Sequence, residues 1–185
     1  MRFHLRNLIL PAVLILTNCV SLIKDSYMRQ QVIPEPVPTG FAVSHVEIID
    51  DRDDFDMREI KIPFMSFPGN HDRISPALTK DHVDLIRSEV GRYFIQGGKE
   101  AQVEVHILSA MKDFSASFSA ETEYVSVELR IIFTSDSRNA AATGSTVFTI
   151  SSMDASVQYT EKLYQNALVH SIRKAFNQML STING

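Results

Sequence analysis

With 185 residues, a net charge of −4 and 44% apolar content, the sequence reads as an ordinary globular chain rather than a disordered or fibrous one. The acidic balance offers no footprint for nucleic acid, whose phosphates call for clustered Lys and Arg. One cysteine excludes an internal disulfide, so packing alone must hold the fold.

Residues 1–18 have the layout of a secretory signal peptide. Arg2, His4 and Arg6 form a basic start, and Leu8 to Leu16 is an uncharged apolar run of nine. Crossing a hydrocarbon core takes roughly 20 such residues, so the run directs export and does not span the bilayer. The segment closes on Leu16-Thr17-Asn18-Cys19, which resembles a bacterial lipobox, with Asn18 where Gly, Ala or Ser is usual. The resemblance implies that the leader is cut before Cys19 and that acyl chains, palmitate among them, are attached there. Each buried methylene is worth ~0.8 kcal/mol, so several chains anchor a small domain to a membrane stably. Val20 after the cysteine is similar to lipoproteins sent to the outer membrane. The alternative is an ordinary secreted protein with Cys19 a bystander.

Residues 19–39 read as a lipidated cysteine followed by a tether. Pro34, Pro36 and Pro38 alternate, which favours an extended, semi-rigid spacer or an ordered arm lying on the domain. Residues 40–185 form the expected single domain, a size suited to one core.

Within it, Phe41–Asp50 is β-rich, and Arg58–Phe64 alternates, with Ile60, Ile62 and Phe64 on one face. The acidic loop 50–56 between them carries five carboxylates, but an EF-hand pattern fails because its sixth position, Asp56, is no glycine. Gly69-Asn70-His71-Asp72 resembles one motif of the calcineurin-like metallophosphoesterases. The upstream ligand motifs of that family are missing, and Pro68-Gly69-Asn70 is also ordinary turn chemistry.

Ser75 as N-cap and Pro76 at the first helical position predict a helix ending at Gly97-Gly98, with a stripe through Leu78, His82, Ile86, Val90 and Tyr93. His82 within that stripe reads as a hydrogen-bonded, partly buried histidine. Val103, Val105 and Ile107 begin a strand whose parity changes near Met111-Lys112-Asp113, the mark of a bulge or a break. Tyr124–Thr134 alternates best of all, Ser135–Gly144 reads as a turn, and Thr146–Val157 reads as a thinly apolar edge strand. A long helix from about Gln158 to Ser181 completes the chain.

The expected fold is therefore α+β: a two-layer sandwich of an antiparallel sheet of four to five strands with two amphipathic helices on one face. Leader, lipobox, tether and element order together are similar to small bacterial outer-membrane lipoproteins, namely the YajG-like family and the lipopolysaccharide-assembly lipoprotein. The Val46–Arg52 stretch is loosely like the strand-then-Asp-Arg segment of the YajG-like group. The resemblance implies a lipid-anchored, periplasm-facing accessory factor of the outer membrane that binds an envelope protein or glycolipid and does not catalyse. No catalytic residues, metal ligands or cofactor are assigned, since none of the familiar catalytic or phosphate-binding motifs occurs. The polar sheet face, through Glu104, His106, Glu128 and Arg130, is the expected partner contact, with the edge strand as another. Two other functions stay open: a lipid- or small-molecule-binding module with a pocket lined by Phe114, Phe118 and Phe176, and a secreted metal-dependent hydrolase using the acidic loop and His71.

Overall fold

The computed structural model describes residues 34–184. The expected signal peptide, Cys19 and the expected tether as far as residue 33 lie outside the described residues. The chain forms β1 (Phe41–Asp50), β2 (His71–Ile74), α1 (Lys80–Gly91), β3 (Lys99–Ala116), β4 (Glu121–Ser135), β5 (Asn139–Ser152) and α2 (Val157–Asn184). The strands make one five-stranded sheet in the order β1-β3-β4-β5, with β2 also pairing with β3.

The sheet is mixed, which corrects the antiparallel expectation. β1 runs parallel to β3, from Phe41 opposite Lys99 to Asp50 opposite Ile107. β2 runs antiparallel to the far end of β3, with His71 opposite Ser115 and Ile74 opposite Lys112. The connection between β1 and β3 contains α1, and such a crossover returns the chain in its original direction. β1 and β2 thus share one edge of β3, end to end.

α2 packs on β4 and β5, and α1 packs on α2 and β1. The main core gathers Val103, Val105 and Ile107 of β3, Leu129 and Phe133 of β4, and Phe176 of α2, all fully buried. The positions between them on β3 and β4 (Gln102, Glu104, His106; Tyr124, Ser126, Glu128, Arg130) are half-buried or exposed. A smaller cluster of Ile60, Ile74, Phe114 and Ala116 fills the β2 end.

Several expected boundaries move, the first helix ending at Gly91 rather than Gly97-Gly98 among them, and four have a visible local reason. Arg58–Phe64 forms no strand: the Asp72 carboxylate accepts from the Lys61 N–H at 2.7 Å and from the Arg58 guanidinium at 2.6 and 2.8 Å. A side chain thereby takes the place of a neighbouring strand, and Phe64 is left wholly exposed. Pro76 lies in a bridge to Asp56 rather than in a helix, with the Ala77 N–H donating to the Asp56 carbonyl at 3.0 Å.

The helix starts later, at an N-cap built by Thr79. Its hydroxyl accepts from the His82 N–H, while His82 Nδ1 accepts from the Thr79 N–H at 3.1 Å. The bulge in β3 falls between Ile107 and Ser109, earlier than expected, and moves the buried set to Ala110, Lys112, Phe114 and Ala116. β5 begins at Asn139, so its small residues are strand and not turn. The reason is visible at Gly144, where a Cβ would stand 1.8 Å from the Ser171 carbonyl oxygen of α2.

The last part of the proline segment is an arm fixed to the domain. Thr39 is buried, and both its N–H and its hydroxyl donate to the Tyr93 carbonyl, at 2.7 and 2.8 Å. Glu35 pairs with Arg92 and Arg173, whose positive charges hold its carboxyl below the usual range.

Candidate functional site

Three features of the described residues offer chemistry: the polar sheet face, a cavity beside α1 and α2, and an apolar end of the sheet. On the polar face the structure brings three of the four predicted residues into one group. Glu104 and His106 stand two apart on β3, and Arg130 of β4 lies directly opposite His106. His106 Nδ1 meets Asp51 Oδ2 at 2.8 Å, and its Nε2 meets Glu104 Oε2 at 3.2 Å. Burial pulls the imidazole pKa down, but these two carboxylates outweigh it and raise the pKa above its ordinary value. Glu128 shares strand and parity with Arg130 and lies opposite Ser109, at the bulge.

Three of the five carboxylates of the acidic loop are taken up by protein partners. Asp50 and Arg52 form a two-pronged pair at 2.7 and 2.6 Å, with the Arg52 side chain only 5% exposed. Asp51 serves His106, and Asp56 accepts from the Ser75 N–H at 3.0 Å. Phe67-Pro68-Gly69-Asn70 is a tight turn, with the Asn70 N–H donating to the Phe67 carbonyl at 2.9 Å and Gly69 at φ +91°. His71 turns to Asp113, 3.3 Å away, and Asp113 also accepts from Arg73. Among the described residues, no three His, Cys, Asp or Glu side chains are placed to hold a metal ion. The expected hydrolase grouping of acidic loop and His71 is therefore not assembled.

The pocket expected at Phe114, Phe118 and Phe176 is not formed by them either. Phe114 lies in the β2 cluster, Phe118 is exposed at the β3–β4 turn, and Phe176 stacks on Tyr93 with ring centroids 4.0 Å apart. A cavity of about 530 Å³ opens elsewhere, lined by Arg58, Pro76, His82, Lys112, Glu161 and Gln165 among others.

Its floor is an ionic cluster that sequence reasoning missed. His82 is 2% exposed, as its place in the stripe predicts. With Nδ1 accepting from Thr79, its Nε2 carries the proton and donates to Glu161 Oε1 at 2.6 Å. Lys112 donates to the other oxygen, and Gln165 Nε2 donates to Oε1 at 3.2 Å. The His82 hydrogen bond first, and then Lys112, hold the Glu161 carboxyl down at about 2 against the opposing effect of burial. The cluster joins α1, β3 and α2 through one carboxylate. The available signal was Lys112, a charge on the buried parity of an otherwise apolar strand.

The third feature is the end of the sheet where β2 begins, β3 turns into β4 and β5 stops. Phe64, Met65, Phe67, Phe118 and Met153 are all exposed there. Among the described residues, no helix is long and apolar enough to cross a membrane.

No family model matches the chain, and no curated protein matches it either. Among solved structures it is similar to a minor lipoprotein from Acinetobacter baumannii, at 8% identity and a TM-score of 0.35, over 80% of this chain and 93% of that one. A likeness at this level carries no functional argument.

Proposed function

We propose that this protein is an exported, lipid-anchored accessory protein of the bacterial cell envelope, facing the periplasm, which holds a partner and does not catalyse. The observation that carries the reading is the basic, apolar, cysteine-terminated leader, joined through a proline arm to a folded domain. The arm is pinned at Glu35 and Thr39, so a lipid on Cys19 would hold the domain through residues 20–34 alone. Outer-membrane placement draws on Val20, and the narrower kinship with YajG-like or lipopolysaccharide-assembly lipoproteins draws on the Val46–Arg52 stretch. In that segment Asp50 and Arg52 pair to close β1.

The partner contact is the polar sheet face around Glu104, His106, Glu128 and Arg130. In this reading both helices cover the opposite, apolar face, supported by the Tyr93–Phe176 stack and the Arg173–Glu89 pair that join them. The partner is an envelope protein or glycolipid. Labelling with a fatty-acid analogue tests the anchor: the wild type should incorporate label and Cys19→Ala should not. Unlabelled wild type sinks the reading.

A second reading, a lipid- or small-molecule-binding module, is favoured by the cavity over His82 and Glu161. It predicts a small molecule carried through purification and seen in a native mass spectrum.

A further inference from the structure

We infer that the apolar end of the sheet is a membrane-contact tip, seated on the interfacial layer of a lipid bilayer. The inference rests on the anchored reading for which bilayer is met, though not for the tip's own affinity. Phe64 is 103% exposed and Phe118 94%, and Met65, Phe67 and Met153 stand exposed beside them in sequence or at the neighbouring strand end. Pairings bring these segments together. The Gly69 N–H donates to the Ala116 carbonyl at 3.0 Å and the Ala116 N–H to the Asn70 carbonyl at 2.8 Å. Glu121, at the far side of the β3–β4 turn, lies opposite both Ala116 and Ser152.

Three properties favour lipid over a protein groove-binder. Ile62–Asn70 and Ala116–Ala120 contain no charged residue, so neither segment takes an ion out of water. Part of their backbone is paired at home, at the Phe67–Asn70 and Ser117–Ala120 turns. The Phe67 N–H donates to Asn70 Oδ1 at 2.6 Å, the Asn70 N–H to the Phe67 carbonyl at 2.9 Å, and the Ser117 N–H to the Ala120 carbonyl at 2.8 Å. Backbone already paired in this way enters a low-dielectric layer at little cost. The large side chains sit on turns and a strand end, not along a groove, and aromatic side chains at such points suit the headgroup boundary.

The chain that precedes the described residues comes near the level of the tip when fully extended. β1 and the arm enter the sheet at the end opposite the tip, where Phe41 pairs with Lys99. β3 is ~55 Å long at ~3.3 Å per residue. Residues 20–34 reach at most ~50 Å, enough to bring Cys19 from the anchored arm at Glu35 towards the level of the tip. The same bilayer that takes the acyl chains can then receive Phe64 and Phe118.

The chain has no tryptophan, so one introduced tryptophan reports alone. Phe118→Trp and, at the opposite end, Ile95→Trp are placed in the mature protein with and without Cys19→Ala. Each is mixed with phosphatidylethanolamine–phosphatidylglycerol vesicles containing brominated acyl chains. The emission of the Phe118→Trp protein should shift to the blue and fall by at least half, whereas that of the Ile95→Trp protein should not change. Phe64→Ser with Phe67→Ser should weaken vesicle binding of the Cys19→Ala protein about tenfold or more, by the apolar area withdrawn. Unquenched Phe118→Trp emission on vesicles, in acylated and unacylated protein alike, overturns the tip. If protein with Cys19 intact proves unacylated while Phe118→Trp emission is still quenched at high lipid, the anchor is refuted and the tip stands.

Discussion

Glu161 ties three elements together, since it sits on α2 and holds His82 of α1 and Lys112 of β3. Its carboxyl pKa is lowered from 4.5 to about 2, so the stability it contributes is complete above the unfolded value and fades as pH falls towards 2. Its side chain is one-third exposed, so solvent trims the effect to about 1–2 kcal/mol. Glu161→Gln should therefore lower the urea midpoint at pH 7, with the gap to wild type closing between pH 4.5 and pH 2. An unchanged gap across that window would show that the pairing is not linked to folding.

His170 acts in the same direction at higher pH. Burial first, and then Arg173 and Lys174, lower its imidazole from 6.5 to about 4, and its Nδ1 is buried without a hydrogen-bond partner. It folds neutral, so stability present above pH 6.5 is lost as pH falls towards 4. His170→Gln should flatten that part of the acid limb, by about 1–2 kcal/mol, in thermal melts from pH 7 to pH 4.

At the scale of elements, Gly144 decides how closely α2 meets β5. A Cβ there would fall 1.8 Å from the Ser171 carbonyl oxygen, which is backbone and cannot swing aside. Gly144→Ala should cost about 3 kcal/mol or more by forcing helix and strand apart, read as a large drop in denaturation midpoint. A fully stable variant would mean the helix has room to shift.

What the sequence made legible follows from the same physics. α2 was readable because its apolar stripe repeats over 28 residues, and β4 because alternation persists from Val125 to Phe133. The segment Arg58–Phe64 alternates too, yet Asp72 satisfies its backbone from a distance that periodicity does not encode. Ser75-Pro76 has helix-start chemistry, but a pairing with Asp56 claims that backbone first. The parallel β1–β3 pairing depends on how α1 carries the chain back, a tertiary fact. At the site, Glu104, His106 and Arg130 were placed together by parity alone. His82, Glu161 and Lys112 come from three distant segments and meet only in the fold.

For the whole molecule, the described residues form a mixed sheet with one polar face, a cavity over an ionic cluster, and an apolar tip at the end away from the pinned arm. The polar face suits a specific partner, and the tip suits a surface with no specific chemistry. The proposed partner contact depends on whether Cys19 carries a lipid, whereas the tip's own affinity for a bilayer does not. On the proposed reading, an anchored domain would meet its partner at high local concentration, so weak contacts from the sheet face would suffice. The most direct measurement is the mass of the N-terminal peptide of protein extracted from bacterial envelopes. The account predicts a chain that begins at Cys19 and carries acyl chains there. A free thiol at Cys19, or a leader cut at another position, would contradict it.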